Sequence, residues 1–320
     1  MPDGLAAARR LGIQIEASAG YPFGGIRFRE AGITASALFP QGCGLGVRRT
    51  TLHAALVNRA AEAGVRLAWG SCITGIGRES VRMDGSTVKT RWVIGADGGQ
   101  SRVRRWAGLE EAARHSVRYG FRRHYRVAPW SEYMEIHWGR HGQLYVTPIA
   151  ADELCVVAIS RDPHWRLENA LPEFPELARR LGSAEATTLE RGSPSVTRRL
   201  RTVYRDHVAL IGDASGSVDA ITGEGLCLLF QQAVALADAL AAGDLERYQQ
   251  EHRRIGRRPE MMSDLMLLLE RRHRLRRRTL TAFSRKPELF EGMLALHVGK
   301  IAPAALAANG LSLGWEILRA

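Results

Sequence analysis

The sequence lacks several features that would assign it quickly to a class of protein. Its four cysteines, Cys43, Cys72, Cys155 and Cys227, form no Cys-x-x-Cys pair, so neither a disulfide framework nor a metal site is expected. No long polar tract, no signal-peptide pattern and no apolar run of roughly 18 residues is present. These absences favour a folded protein that keeps separate thiols in a reducing cytoplasm.

Acidic residues are outnumbered by basic ones, and the formal net charge is +12. The basic residues are dispersed except for one dense cluster, Arg271 to Arg278, on a predicted helix. A solvated helix face is the favoured interpretation of this cluster, and a weak contact with an anionic membrane surface is the alternative. Because no aromatic side chains that would stack on bases are interleaved with the arginines, nucleic acid is not expected as a partner.

The middle of the chain has the pattern of a sheet. Alternating residues and turn signals predict four strands joined as antiparallel hairpins, which would form the floor of a substrate pocket. The predicted strands are Arg118–Val127, Tyr133–Trp138, Gln143–Pro148 and Leu154–Ile159. Beyond Gly225 the sequence predicts helices, with interruptions near Gly243, Pro259, Pro287 and Pro303.

Other predicted elements flank this region. Apolar residues at helical spacing predict an amphipathic helix from Leu52 to Ala63, and a strand is predicted next, at Val65–Trp69. Two further strands are predicted at Arg91–Ala96 and Val208–Ile211. The second of these is wholly apolar, as is typical of a buried parallel strand.

The first segment that points to chemistry is Val93–Arg104, where a strand ends in Asp97, Gly98 and Gly99. In open α/β sheets ligands bind beyond the carboxyl ends of the strands, and glycine lets the backbone approach them closely. Asp97 would accept hydrogen bonds, and Arg102 and Arg104 would meet phosphate. An ordinary strand-to-helix turn explains the same residues equally well.

The second segment is Val208–Gly225, in which an apolar strand again ends in Gly-Asp, at Gly212 and Asp213. A loop containing Gly223 and Gly225 follows, and then a long helix. The start of a helix offers free N–H groups and a partial positive charge, which suit a ligand that is or becomes anionic. Asp213 is placed to hold sugar-type hydroxyls. Tight packing is the alternative reason for these glycines, but two such segments in one chain weaken it.

The third segment is the start of the amphipathic helix, where Arg49 precedes Leu52 by three residues. An arginine at this position opposes the helix dipole. It is therefore expected to have another partner, such as a phosphate or a ribose hydroxyl, unless it is simply solvated.

In this order the three segments resemble the FAD-binding monooxygenase superfamily, which also includes flavin-dependent halogenases and geranylgeranyl reductases. Residues 93–104 resemble its Asp-Gly motif, and residues 208–225 resemble its Gly-Asp motif with the downstream Gly-x-Gly. Residues 49–64 resemble its Arg-x-x-Leu helix, and the resemblance covers most of residues 45–245.

The resemblance implies FAD as the cofactor and NAD(P)H as a possible electron donor. Asp213, beside Gly212, would bind the ribityl chain, and Gly223 and Gly225 would lie near the isoalloxazine ring. Arg49 would contact the flavin side of the cofactor. Asp97 and Gly98 would lie near the pyrophosphate region or the nicotinamide nucleotide.

The chain also departs from the family pattern. It shows no opening Gly-x-Gly-x-x-Gly loop, so we expect the cradle for the ADP half of FAD to be missing and the FAD affinity to fall. Ser215 stands where many members have histidine, which argues against a phenol hydroxylase. The paired tryptophans of halogenases are absent, so chlorination is not favoured.

The implied fold class is α/β (α+β). A three-layer Rossmann-like FAD/NAD(P)-binding domain missing its first βαβ unit is joined by an antiparallel-sheet substrate domain and C-terminal helices. The expected bounds are 1–112 and 198–245 for the FAD-binding domain, 113–197 for the substrate domain and 246–320 for the helices.

The implied function is that of an FAD-dependent monooxygenase acting on an apolar or aromatic small molecule. The alternatives are a noncatalytic or truncated remnant of such an enzyme and a flavin-dependent reductase of isoprenoid-like substrates. No catalytic residue is assigned from the sequence. Four histidines are candidate proton donors, although a lone histidine is more often structural: His53, His124, His137 and His141.

Overall fold

The structure, a computed structural model, describes residues 1–15, 19–109 and 112–301. Its helices are α1 (Pro2–Arg10), α2 (Arg49–Glu62), α3 (Arg102–Trp106), α4 (Leu167–Ala170), α5 (Pro175–Leu181), α6 (Gly225–Ala242), α7 (Leu245–Arg271), α8 (His273–Arg285) and α9 (Pro287–His297). The first eight strands are β1 (Tyr21–Phe23), β2 (Gly25–Glu30), β3 (Ile33–Leu38), β4 (Gly44–Gly46), β5 (Ile73–Gly77), β6 (Ser80–Met83), β7 (Ser86–Lys89) and β8 (Val93–Gly95). The others are β9 (Ala112–Arg126), β10 (Tyr133–Trp138), β11 (Gly142–Ala150), β12 (Glu153–Ser160), β13 (Glu185–Ala186), β14 (Arg191–Leu200), β15 (Tyr204–Arg205) and β16 (Val208–Leu210).

The largest sheet has the strand order β13-β9-β12-β11-β10-β2-β3, and β14 also pairs with β9. Strands β9 to β12 confirm the four strands predicted for the middle of the chain. The hairpins β10–β11 and β11–β12 are antiparallel as predicted, whereas β9 pairs with β12 instead of forming a hairpin with β10. Strands β2 and β3 come from the N-terminal part of the chain, and β2 joins β10 in parallel. The predicted α/β fold class is confirmed, and the predicted domain bounds remain a prediction.

Helices α7 to α9 contribute to an apolar core that includes one face of this sheet. Phe28 of β2 stacks on Phe290 at 4.7 Å between ring centroids, and Phe290 stacks on Phe283 at 5.0 Å. Phe283 and Phe290 are almost wholly buried, so each contributes about 1.5–3 kcal/mol by leaving water. This aromatic stack fixes α8 and α9 against the sheet.

A small sheet brings the two predicted ligand segments together. Strands β16 and β8 are parallel, with Val208 opposite Val93 and Leu210 opposite Gly95. Because parallel strands end at the same edge of a sheet, the loops that follow them lie side by side. The predicted strands around residues 91–96 and 208–211 are confirmed, and so is the amphipathic helix, as α2.

Two predictions of local structure are wrong. Residues 65–69 form no strand, and Val65 and Trp69 are 53% and 69% exposed; no described strand lies beside them to complete a ladder. Pro259 does not interrupt α7, which continues from Leu245 to Arg271. Pro259 itself is buried, and packing of Ile255, Met262 and Met266 outweighs the lost backbone hydrogen bond.

The helix interruptions at Gly243 and Pro287 are confirmed, whereas Pro303 lies outside the described residues. Gly243 ends α6 with a φ of 70°, a left-handed conformation that glycine adopts without strain. Within the described residues, α6 is long and apolar enough to cross a membrane by length and composition alone. A buried helix of a globular core passes the same test, and α6 packs against α1 and α7.

Candidate functional site

Arg104 connects the two loops that follow β8 and β16. Its side chain is completely buried. One guanidinium nitrogen donates to the carbonyl oxygen of Gly99 at 2.7 Å, and another donates to that of Ala214 at 3.0 Å. Instead of meeting a phosphate, as the sequence suggested, Arg104 therefore holds the Asp97 loop and the Asp213 loop in a fixed relation.

Asp97 is engaged by its own loop. Its carboxylate accepts the backbone N–H groups of Arg102 at 2.7 Å and of Val103 at 3.2 Å, and so caps α3. Desolvation acts to raise the pKa of Asp97, but hydrogen bonds from Ser101 and the α3 backbone outweigh it and hold the pKa below its usual value. The turn interpretation therefore accounts for Asp97, and its role toward a cofactor, like that of Gly98, stays a prediction.

Asp213 and Arg49 are both exposed and act on each other electrostatically. Desolvation raises the pKa of Asp213, and the positive charge of Arg49 opposes that shift. The backbone N–H of Gly212 donates to the side-chain oxygen of Gln232 on α6 at 2.8 Å, which fixes the loop to the helix. The structure thus brings a carboxylate and a guanidinium group together beside α6, where both are open to a ligand.

The start of α6 is open as well. No side chain caps its first turn, and the residue before it, Glu224, is turned inward and only 3% exposed. Gly223 has a φ of 67°, and both it and Gly225 are exposed. The free N–H groups of this 18-residue helix can therefore receive a polar or anionic edge between two glycines.

Glu224 and His297 form a buried pair that the sequence did not reveal. His297 Nε2 lies 3.5 Å from one carboxyl oxygen of Glu224. The other carboxyl oxygen and His297 Nδ1 have no hydrogen-bond partner among the described residues. Burial raises the pKa of Glu224 to about 8 and lowers that of His297 to about 4. Both side chains are therefore neutral near pH 7.

A second histidine, half-buried, lies beside the Asp213 loop. His252 Nε2 of α7 is 2.9 Å from the Ser215 hydroxyl and 3.2 Å from the Gln232 amide nitrogen. Burial lowers the pKa of His252 to about 4. The fold thus brings an imidazole next to Ser215, where many family members carry histidine in the sequence itself.

The four histidines considered as proton donors lie elsewhere. His53 is exposed beside the Trp69 ring. The other three are engaged by neighbours: His124 by the Thr188 hydroxyl, His137 by Glu135 and His141 by Glu173. None of the four lines the apolar chamber described next.

An apolar chamber lies between the large sheet and helices α7 and α9. Four methionines contribute to its walls, and His297 and Thr222 provide its polar groups. The lining residues are Ile26, Phe28, Met134, Ile136, Ile221, Thr222, Met262, Met266, Phe290, Met293, Leu294 and His297. The cavity is only about 30 Å³, so a ligand would have to displace side chains. Unbranched methionines are well suited to such movement.

An open groove of about 940 Å³ lies next to the chamber. Arg29, Arg140 and Arg276 contribute positive charge to its walls, alongside several carboxylates. Trp138 lines the groove and packs edge-on against Phe28, which lines the chamber, at 6.2 Å between ring centroids. An aromatic pair therefore separates the apolar chamber from the polar groove.

Together, the fold and the open helix start beside two aspartate loops are those of an FAD-binding protein. Residues 45–257 match the FAD binding domain family, which is more than half of the chain. The chain belongs to this family. The predicted resemblance and the predicted cofactor, FAD, are confirmed.

Similar proteins come from reductases and from other flavoenzymes. The chain is 26% identical over 211 residues to the digeranylgeranylglycerophospholipid reductase of Methanococcus vannielii, covering 58% of this chain and 52% of that protein. It is 27% identical over 233 residues to that of Methanocaldococcus jannaschii, covering 64% and 57%. The chain thus spans about half the length of the curated relatives it matches.

Solved structures share the fold. A flavin-dependent brominase superposes with a TM-score of 0.76 at 16% identity, covering 97% of this chain and 87% of that one. A geranylgeranyl bacteriochlorophyll reductase-like protein of Thermoplasma acidophilum gives 0.72 at 17% identity, covering 94% and 86%.

The described residues fit the flavin half of FAD, because the start of α6 is uncapped, Gln232 of α6 holds the loop that carries Asp213, and Asp213 and Arg49 are both exposed. Replacing Asp213 with alanine is expected to weaken FAD binding about tenfold or more, since a hydrogen bond to a charged group is lost. Flavin fluorescence titration of the 320-residue chain measures this. The exposed Asp152→Ala variant should bind as the parent does. Equal affinities for all three proteins would remove Asp213 from the site.

Proposed function

We propose that this chain is an FAD-dependent oxidoreductase that reduces an elongated, isoprenoid-like substrate. The apolar chamber carries the proposal, because its methionine and aliphatic lining suits a flexible hydrocarbon and offers few polar groups to orient a compact polar ligand. Two of the relatives are named as reductases of a geranylgeranyl-bearing phospholipid. FAD, when bound, supplies the two-electron chemistry.

The groove extends this proposal to the polar end of the substrate. A molecule with a hydrocarbon chain in the chamber would place a polar or anionic group beyond Trp138, near Arg29 and Arg276. Movement of Phe28 and Trp138 would join the two spaces. The substrate would then be held by apolar contacts along its chain and by charge at its end.

Glu224 and His297 would handle the proton of this reaction. Reduction of a carbon–carbon double bond adds a hydride equivalent and a proton. Glu224 holds a proton at neutral pH, directly before the first residue of α6, and its partner His297 lines the chamber. We propose that the pair retains that proton in a site closed to water and delivers it toward the chamber.

Monooxygenation of an apolar or aromatic substrate, with NAD(P)H as electron donor, is the second candidate. The stacked rings of Phe28 and Phe290 favour it, because a planar aromatic substrate would extend their stack. The small molecule would occupy the same chamber in either reaction.

The four separate thiols also support a reducing cytoplasm as the place of action.

Product mass distinguishes the candidates. With chemically reduced FAD and no oxygen, a geranylgeranyl-bearing glycerophospholipid should gain two hydrogens per double bond reduced. With NAD(P)H and oxygen, a hydroxylated product would gain one oxygen atom instead and favour the second candidate. If no substrate is converted with any electron donor, the noncatalytic alternative is favoured.

Two neighbouring methionines provide a matched pair for the same assay. Met262 is 5% exposed and lines the chamber, whereas Met261 is 42% exposed on the same helix. Met262→Trp should reduce turnover at least about tenfold by filling the chamber, while FAD binding stays unchanged. Met261→Trp should retain activity. Equal activity in both variants would place the substrate elsewhere.

A further inference from the structure

Helix α8 presents a basic face to solvent. Its buried side consists of Arg276, Thr279, Leu280, Ala282 and Phe283. Its exposed side carries Arg274, Arg277, Arg278 and Arg285, and Arg271 and Arg272 precede it. Because Arg274, Arg278 and Arg285 recur at intervals of four and seven residues, they share one stripe of the helix.

This positive charge is not balanced locally. No acidic residue occurs from Arg271 to Arg285. Within the described ranges, none of the six exposed arginines forms an ion pair, although many arginines elsewhere do. Two carboxylates beside the helix are already engaged, since Glu270 binds Arg118 and Glu30 binds Arg276. The six exposed arginines therefore form a positive patch without a counter-charge of its own.

The helix that carries this patch is held firmly. Arg276 donates to Glu30 at 2.6 Å and 3.0 Å and lies 5.1 Å over the Trp138 ring. Phe283 stacks on Phe290. The patch is therefore a preformed surface rather than a loose basic tail, and it can bind a partner without first becoming ordered.

An exposed apolar side chain adjoins the patch. Leu268 is 44% exposed and lies one helical turn before Arg271 and Arg272 on α7. No phenylalanine, tyrosine or tryptophan side chain is exposed between Arg271 and Arg285, as base stacking would require. An exposed leucine beside a row of arginines has the chemistry of an interfacial helix, which inserts apolar groups between lipid chains and leaves its cations among the headgroups.

We propose that the face formed by Arg271, Arg272, Arg274, Arg277, Arg278 and Arg285 docks on an anionic lipid membrane. Charge complementarity and the adjoining Leu268 support lipid headgroups as the partner. This inference goes beyond the proposed function, because it concerns where the chain resides. It does not depend on which substrate occupies the chamber.

The test is cosedimentation of the 320-residue chain with vesicles. The chain should bind vesicles of phosphatidylcholine mixed with phosphatidylglycerol, and not vesicles of phosphatidylcholine alone. Each arginine at such a surface contributes about fivefold, so the Arg274→Gln, Arg277→Gln, Arg278→Gln variant should lose about 100-fold in partitioning. High salt should weaken binding of the parent chain.

A second triple variant controls for the loss of net positive charge. Arg66→Gln, Arg78→Gln, Arg191→Gln removes the same charge from exposed positions outside α7 and α8 and should bind within about threefold of the parent. Circular dichroism establishes that both variants are folded. The proposal is overturned if both variants lose binding equally, if pure phosphatidylcholine is bound as well, or if no vesicle is bound. It is also overturned if duplex DNA at the same phosphate concentration displaces the chain from the mixed vesicles.

Discussion

Replacing Arg118 with alanine is expected to destabilise the folded chain by about 3–5 kcal/mol, because it leaves the buried carboxylate of Asp219 without this cation. Arg118 is 1% exposed. Its Nε donates to Asp219, and its two terminal nitrogens donate to Glu270 at 2.7 Å and 2.6 Å. Urea denaturation followed by circular dichroism measures the loss.

The same substitution should also disturb the flavin site. Asp219 accepts the backbone N–H of Ile221 at 3.1 Å and the Ser116 hydroxyl at 2.5 Å, and so anchors the loop that leads to Gly223. Arg118 of β9 thus joins the large sheet to the start of α6. We expect FAD binding to weaken in Arg118→Ala even where the chain remains folded.

Arg126 of the same strand provides the control. It pairs with Glu185 at 3.0 Å, but the two side chains are 60% and 68% exposed. Surface pairs of this kind contribute about 0–1 kcal/mol, so Arg126→Ala should be nearly neutral. If Arg118→Ala and Arg126→Ala lowered the free energy of unfolding by the same small amount, the buried cluster around Arg118 would not stabilise the fold.

The second large effect concerns pH. The pKa of Glu224 rises from 4.5 to about 8 on folding. Below pH 4.5 the carboxyl is protonated in both states and has no effect. Between pH 4.5 and 8 the unfolded chain releases this proton and the folded chain keeps it, so stability falls as pH rises. The full loss is about 3–5 kcal/mol, of which about 2 kcal/mol falls between pH 6.5 and 8.

His252 and His297 act in the opposite direction at lower pH. Burial lowers the pKa of each from 6.5 to about 4, so their stabilising contribution is complete above pH 6.5 and is lost as pH falls toward 4. Stability should therefore be greatest near pH 6.5. Above that pH, the decline in stability is dominated by Glu224, whose proton is released by the unfolded chain and kept by the folded chain.

Glu224→Gln should abolish this decline, because the amide stays neutral in both states. Its denaturation midpoint should remain level from pH 6.5 to 8, while that of the parent chain falls. Glu288→Gln, at an exposed carboxyl on α9, should keep the parent profile. A parent chain equally stable at both pH values would show that Glu224 ionises as freely when folded as when unfolded.

The buried pairs on which these two predictions rest could not be predicted from the sequence. Arg118 and Asp219 are separated by 101 residues, and Glu224 and His297 are also remote in the chain. Nothing in the local sequence of α9 marks His297 as a member of a buried pair. Likewise, Arg104 has the sequence position of a phosphate ligand, and only the packing of two loops makes it a buried connection between them.

Local signals, in contrast, were sufficient for the family and for much of the secondary structure. The Gly-Asp segment at Gly212, the Asp-Gly segment at Asp97 and the helix at Arg49 implied an FAD-binding fold through their resemblance to the motifs of a known family, and such motifs are short stretches of sequence at strand ends. The alternation in β9 to β12 predicted their strands for the same reason. The strand expected at 65–69 failed, since a strand needs a neighbour as well as a pattern.

The sequence by itself therefore determined the cofactor, the fold class and the residues that surround the open start of α6. Tertiary structure alone decided which charges are buried and what shape the substrate space takes. Proton affinities depend on desolvation, and the chamber depends on side chains from β2, β10, α7 and α9 meeting in space. Both result from contacts between residues far apart in the chain, which no local pattern encodes.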